Sequence, residues 1–410
     1  MKRVVVAGAS LAGLRAAQTL RAEGFAGELV LVGAESHLPY DRPPLSKKQL
    51  TDALPVSATD LPVPGDLDAT WILGTRADGL DAYGRTVRLS DGRDLPYDGL
   101  VIATGAAACV PAALLPLPSG VHTLRTREDA ASLRVDLRPG RRAVVVGGGF
   151  LGSEIAAAAR ACGLDVTLVV PESRPLVRQV GSAAGEFITR LHDSAGIRVL
   201  PGYRVKALVG GRRLTAVGLD DGTELAADIA VLALGAVPNV AWLAGSGIAL
   251  AGGVRCDERL RVLSIDGTPM PGVVAAGDVA VVPHPHPPNS DSRSASRAAV
   301  YDGNRSSLGH WSNAVEQAAV AARTLVHGDA ARPLTAIPSF WCDLHGITLR
   351  GVGLPASADE ERTLERNLVD RTLEVTYHRE GRFVGAVAIG RNSRIAAHRR
   401  VLAEAELARV

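Results

Sequence analysis

Two glycine-rich turns carry the clearest chemistry in the sequence, Gly8-Ala9-Ser10-Leu11-Ala12-Gly13 and Gly147-Gly148-Gly149-Phe150-Leu151-Gly152. An apolar run of β type precedes each, Val4-Val5-Val6 and Ala143-Val144-Val145-Val146, and a helical pattern follows each, Leu14 to Leu20 and Ser153 to Ala161. A strand that enters a glycine turn and leaves through a helix N-terminus aims backbone N–H groups and the positive helix end at a pyrophosphate. Two such turns imply two dinucleotides held by one protein. The second turn has Gly147, Gly149 and Gly152 at the three positions of G-x-G-x-x-G, whereas the first has Gly8 and Gly13 with Ser10 between them. Serine is small and its hydroxyl can hydrogen-bond a phosphate oxygen, so the departure reads as tolerated.

Smaller signals surround these turns. An acidic residue near the end of the second strand grips ribose hydroxyls in such units. After Glu28-Leu29-Val30-Leu31-Val32-Gly33 the candidate is Glu35, with Ala34 at the more usual spot. Val273-Val274-Ala275 runs into Ala276-Gly277-Asp278, which sets a carboxylate at a strand's C-terminal end, where open α/β sheets bind ligands. Cys109, Cys162, Cys256 and Cys342 lie far apart without C-x-x-C or metal spacing, so they read as free thiols of a reducing compartment. A flavin-linked disulfide reductase needs a cysteine pair shortly after its first dinucleotide fold. This chain has Tyr40-Asp41-Arg42-Pro43-Pro44-Leu45-Ser46-Lys47 there, with no thiol. The pattern suits hydride transfer from NAD(P)H to a bound flavin without a thiol relay.

At 410 residues the chain is long enough for two or three domains. It is 47% hydrophobic and 21% charged with a net charge of +2, a globular balance that demands no nucleic acid. No apolar run reaches the ~18 residues of a membrane span, and none is expected to enter a membrane. Met1-Lys2-Arg3 leads straight into the first strand and leaves no room for a signal peptide, so a cytoplasmic location is expected. His284 and His286 stand without further ligands at suitable spacing, and no metal is expected.

Residues 1–50 read as βαβ. Two hairpin-like runs follow, Thr86 to Gly92 with its Asp91-Gly92 turn and Leu100 to Gly105. A second βαβ begins near 141, with Asp165 to Val170 as its second strand, and a matching pair recurs at Leu219 to Gly222 and Ile229 to Gly235. Residues 284–308, crowded with Pro, Ser, Asn, Asp and Arg, read as a surface loop or insertion. From about residue 333 the pattern turns to strands, Arg371 to Tyr377 and Arg382 to Ile389, and then a terminal helix. The expected fold class is α/β: two Rossmann-like dinucleotide-binding domains, glutathione-reductase-like, plus a C-terminal α+β domain. The expected boundaries are 1–115 and 241–330 for the two parts of an FAD-binding domain, 116–240 for an NAD(P)H-binding domain and 331–410 for the C-terminal domain.

Over essentially its whole length the chain resembles the FAD-dependent ferredoxin reductases that serve bacterial cytochrome P450s and Rieske dioxygenases. The specific pieces are Tyr40 to Lys47, Ala103-Thr104-Gly105, Leu124-Arg125-Thr126, Ala276-Gly277-Asp278, His310-Trp311-Ser312-Asn313-Ala314 and Phe340-Trp341-Cys342-Asp343. The resemblance implies FAD held by Gly8, Ser10, Ala12, Gly13, Glu35, Arg42, Lys47, Ala77, Thr104, Gly105, Arg125, Asp278 and Trp311. Within that set Lys47 would lie near the flavin ring, Asp278 would accept from the ribityl chain, and Trp311 would meet the ring edge through its backbone. It also implies NAD(P)H held by Gly147, Gly149, Phe150, Leu151, Gly152, Glu154, Glu172 and Gly235, with Lys47 and Glu154 paired as the catalytic residues. A Glu154 that only complements its helix dipole is the alternative.

Departures from the family bear on the coenzyme and the partner. Val170 stands where an acidic residue often meets the adenosine ribose; Glu172 substitutes from two residues on, whereas Arg174 or Arg178 suits the 2′-phosphate of NADPH. NADH is slightly favoured. Leu344 replaces a frequent Gln. The resemblance implies electrons passed singly to a small acidic ferredoxin by a monomer or weak dimer, and the basic run Arg391 to Arg400 is the candidate docking surface. A solvated helix face is the alternative for that run. The rival activity is a flavin enzyme acting directly on O2 or a small molecule.

Overall fold

The computed structural model describes residues 1–52, 54–283, 299–302, 305–335 and 337–407. The chain divides into two compact units: Met1–Asp41, Thr59–Ala107 and Val237–Pro338 form the first, and Arg42–Ala58, Ala108–Ala236 and Ser339–Val410 the second.

In the first unit a six-stranded sheet runs in the order Arg261–Leu263, Pro269–Ala275, Gly99–Ile102, Arg3–Ala7, Glu28–Val32, Thr70–Ile72. All neighbours pair in parallel except the edge strand Arg261–Leu263. Val4, Val5, Val6, Leu100, Val101 and Ile102 are fully buried, as expected of a parallel sheet covered on both faces, whose strands read as continuous apolar runs. The helices Leu11–Ala22 and Trp311–His327 pack together, and Ala16, Ala17, Leu20, Ala318, Ala321 and Ala322 join this core. The small residues let the two backbones approach.

The run Thr86 to Gly92 is a hairpin arm, in a meander of Ala77–Asp81, Thr86–Leu89 and Asp94–Pro96. The run Leu100 to Gly105 is not a hairpin. Gly99–Ile102 is buried on both faces and takes an inner place in the parallel sheet. Part of the segment expected as loop is also strand: Ala299–Asp302 pairs with Arg305–Leu308, which pairs with Ala280–Pro283. His284 and His286 lie outside the described residues, among which no cluster suited to a metal occurs.

The second unit repeats the plan. A parallel sheet runs Ile197–Pro201, Asp165–Val170, Arg142–Val146, Ile229–Leu232, Val121–His122, beside the antiparallel meander Val205–Gly210, Leu214–Leu219, Glu224–Ala226. A five-stranded antiparallel sheet follows, in the order Ser339–Leu344, Ile347–Gly353, Arg382–Ile389, Thr372–Arg379, Glu360–Asn367, and the helix Asn392–Leu407 closes the chain. The helix Val177–Ser194 presents Val180, Ala184, Phe187, Ile188 and Leu191, one apolar stripe of helical spacing, to Phe340, Leu349, Val375, Tyr377 and Val387. At about 1.5–3 kcal/mol per large buried side chain, that stripe fastens the C-terminal sheet to the helix.

Candidate functional site

The C-terminal ends of Arg3–Ala7, Gly99–Ile102 and Pro269–Ala275 deliver Gly8 to Gly13, Thr104-Gly105 and Asp278 to one edge of the first sheet. This is the switch point where strand order reverses and ligands bind. Gly8 has φ +122°, and a Cβ there would stand 2.1 Å from the Ala103 carbonyl oxygen; one on Gly13 would stand 1.9 Å from the Gly8 oxygen. Both positions exclude a side chain, so backbone lines the cradle. Ser10 caps the following helix with φ −118° and ψ −160°, extended backbone open to any residue, and its hydroxyl makes no capping bond.

Around this cradle the polar groups are tied down. Tyr40 O–H donates to Glu35 Oε2 at 2.5 Å. Ala77 opens its strand and pairs with Leu89. Thr104 Oγ1 donates to the Asn239 carbonyl at 2.9 Å, and Asn239 Nδ2 returns a bond to the Thr104 carbonyl at 2.8 Å. The Gly277 N–H donates to Gln317 Oε1 at 2.9 Å, and a Cβ on Gly277 would lie 3.2 Å from that of Ala12. Trp311 opens the helix Trp311–His327 and its indole N–H donates to Asp41 Oδ1 at 2.7 Å. Its side chain is thereby committed, and the helix N-terminus presents main-chain donors. Burial pushes the neighbouring His310 imidazole down to about 4, against the Asp278 carboxylate. Asn239 and Gln317 were not foreseen from the sequence. For Gln317 the signal was a polar residue on the buried face of an alanine-rich helix.

The second unit builds the same cradle. Gly147 has φ +110°, with a Cβ position 2.3 Å from the Ala233 carbonyl oxygen, and a Cβ on Gly152 would stand 1.8 Å from the Gly147 oxygen. Gly149 caps the helix Phe150–Ala161, and the nearest atom to a Cβ there is Gln179 Nε2 at 4.0 Å. The middle position therefore has room for a side chain in this loop, which accounts physically for a serine at the matching place in the other. Gly235 accepts the Cys109 N–H at 2.9 Å. Leu151 is half-buried, and the Phe150 ring lies 5.3 Å from that of Phe340. Glu172 and Arg178, expected as alternatives, are partners instead, with Oε1 and Nη2 2.7 Å apart. Arg174 Nη1 donates to Ser182 Oγ at 2.7 Å.

Lys47 and Glu154, 107 residues apart, meet in the second unit with Nζ 2.9 Å from the carboxylate. Lys47 also donates to the Pro43 carbonyl at 3.0 Å. Ser46 O–H donates to Glu154 Oε2 at 2.5 Å and the Asp343 N–H to Oε1 at 3.0 Å. Both charged side chains are largely buried, as a paired and hydrogen-bonded ion pair can be. Arg42 Nη1 donates to the Arg125 carbonyl at 2.6 Å, and Arg125 N–H to Asp129 Oδ2 at 2.8 Å, beside the capping box of Thr126 and Asp129.

All four cysteines are free thiols. Burial pushes the Cys342 thiol well above its usual range and the Glu154 charge adds to it, so it stays protonated. The basic run is partly neutralised. Arg391 bonds Glu365 at 2.7 Å, holding that carboxyl down at about 2, and Glu374 receives His398 at 2.8 Å with Arg394 3.9 Å away. Arg399 and Arg400 are exposed.

The two glycine turns share one design, each with two positions where a Cβ would clash with backbone, the form of a dinucleotide-binding turn. A family model described as pyridine nucleotide-disulphide oxidoreductase matches residues 2–318, and one described as reductase C-terminal matches residues 339–409. The chain belongs to the pyridine nucleotide-disulphide oxidoreductase family. It is 34% identical over 390 residues to the ferredoxin reductase component of chlorobenzene dioxygenase from Cupriavidus sp. (strain PS12), covering 94% of this chain and 88% of that protein. With the ferredoxin–NAD(+) reductase component of the p-cumate 2,3-dioxygenase system of Pseudomonas putida it shares 35% identity over 356 residues, 86% of this chain and 81% of that one. Among solved structures, the covalent putidaredoxin reductase–putidaredoxin complex matches with a TM-score of 0.85 at 29% identity, covering 98% of this chain and 92% of that one. A ferredoxin reductase from Rhodopseudomonas palustris matches with a TM-score of 0.84 at 31% identity, covering 95% and 91%. No helix among the described residues is long and apolar enough to cross a membrane.

Proposed function

We propose that the protein is an NAD(P)H:ferredoxin oxidoreductase, and the observation that carries the reading is the pair of side-chain-excluding glycine cradles in a chain without a cysteine relay. The likeness to ferredoxin reductase components supports it. FAD, when bound, supplies a hydride acceptor that releases electrons singly. Gly8, Ser10, Ala12 and Gly13 cradle its pyrophosphate, Glu35 and Ala77 serve its adenosine half, and Thr104, Gly105, Asp278 and the Trp311 backbone serve its other half. Arg42 and Arg125 act together, since one guanidinium holds the other residue's carbonyl.

Gly147, Gly149, Phe150, Leu151, Gly152 and Gly235 hold the coenzyme, with Glu154 and Lys47 at its nicotinamide end and Glu172 at its ribose. NADH is favoured, because the Glu172 carboxylate can accept ribose hydroxyls and repels a 2′-phosphate, and its neighbour Arg178 is paired with it. The functional division follows residues 1–115 and 241–330 for FAD, 116–240 for coenzyme and 331–410 for the C-terminal domain. The acceptor is an acidic ferredoxin, the protein a cytoplasmic monomer or weak dimer. Protein purified natively should be yellow and release FAD on acid denaturation. A colourless protein that takes up no FAD would overturn the reading.

A further inference from the structure

The helix Val177–Ser194 is two pieces. Its entry turn, residues 177–180, ends at Gly181, whose φ of 73° and ψ of −175° are not helical, and the helix restarts at Ser182. That entry turn lies beside the second glycine loop: Leu176 N–H donates to the Gly148 carbonyl at 2.8 Å, and Gln179 Nε2 would lie 4.0 Å from a Cβ built on Gly149.

Two side chains of the C-terminal sheet hold the break. Glu361 accepts the N–H groups of Ser182 at 2.8 Å and Ala183 at 3.0 Å, doing for the restarted helix what an N-cap does. Tyr377, fully buried, donates its O–H to the Val180 carbonyl. Burial, with the Glu361 charge adding to it, holds that phenol above its usual range, so the donor keeps its proton. A Cβ on Gly181 would meet Glu361 Oε1 at 2.1 Å, so the carboxylate requires glycine there. Ser182 in turn holds Arg174, which extends the same chain of bonds to the loop after the second strand.

We propose that Tyr377 and Glu361 are positioning residues for the coenzyme: from the C-terminal sheet they fix the entry turn over Gly148 and Gly149 and so set affinity for the ADP-ribose half of NAD(P)H. The inference rests on the reading that NAD(P)H occupies the second loop. The test is calorimetric titration of the oxidised holoenzyme with ADP-ribose, a probe that undergoes no redox step, beside KM and kcat for NADH. Tyr377→Phe and Glu361→Ala should each raise the ADP-ribose Kd and the NADH KM about threefold to tenfold, the size of a lost cap. FAD content and kcat should hold, and Glu361→Gln, which keeps one acceptor oxygen, should fall between. A Kd unchanged in both variants overturns the proposal, as does a loss confined to kcat and FAD content. Wild-type protein that binds no ADP-ribose would overturn the nucleotide assignment itself, and the proposal with it.

Discussion

Glu154 receives the Ser46 O–H, the Lys47 ammonium and the Asp343 N–H on its two oxygens. On the proposed reading, a carboxylate so occupied holds Lys47 in place. Removing it strands a buried cation, so Glu154→Ala should cost about 3 kcal/mol of stability. It should also slow flavin reduction by NADH about tenfold or more, roughly 1.4 kcal/mol in barrier. Stopped-flow absorbance at saturating NADH checks the rate, and an unchanged rate would remove the pair from the reactive end of the site. The pair was legible in the sequence only through resemblance, since no local pattern links positions 107 residues apart. Ser46 and the Asp343 N–H escaped notice for the same reason, and a backbone donor has no signature at all.

The glycine loops make their prediction at the scale of the element. The Cβ positions of Gly13 and Gly152 lie 1.9 Å and 1.8 Å from a carbonyl oxygen of their own loops, so alanine forces each loop to shift, at about 1–3 kcal/mol. Gly13→Ala should yield protein depleted in FAD with ADP-ribose affinity retained. Gly152→Ala should keep FAD and weaken ADP-ribose about tenfold. Crossed effects would reassign the two loops. These loops were legible because strand, turn and helix share one short stretch of chain. Glu360–Asn367 was not: Glu-Glu-Arg-Thr-Leu-Glu-Arg-Asn is mostly exposed, and only its pairing with Thr372–Arg379 makes it a strand. Charged residues on an edge strand guard it against pairing with other chains, which is why no apolar alternation marks it.

At the scale of the whole molecule, acid and salt probe different things. His192 is fully buried, with Nδ1 3.0 Å from His345 Nε2. Burial takes His192 down to about 3 and His345 down to about 4. Both lie below the unfolded value near 6.5, so the unfolded chain binds more protons between these limits. Stability from this pair is complete above about pH 6.5 and is lost as pH falls through about 4 toward about 3. Melting temperature should follow that course, and His192→Asn should flatten it; an equal slope in the variant would assign the acid sensitivity elsewhere.

Electrostatic docking, as proposed, should weaken with salt. Arg399 and Arg400 are both exposed and both belong to the basic run proposed for docking, so they are the positions to reverse. Arg399→Glu with Arg400→Glu should slow ferredoxin-dependent cytochrome c reduction severalfold at low salt and leave ferricyanide reduction unchanged, since charge complementarity acts mainly on encounter. Equal effects in the two assays would place the docking surface elsewhere.

The most direct test of electron export is anaerobic reduction of the holoenzyme by NADH, followed by stopped-flow mixing with an oxidised ferredoxin or, separately, with O2. Reoxidation by the ferredoxin in one-electron steps, much faster than by O2, is the expected result. Rapid reoxidation by O2 together with none by any ferredoxin would contradict it and make the protein an oxidase.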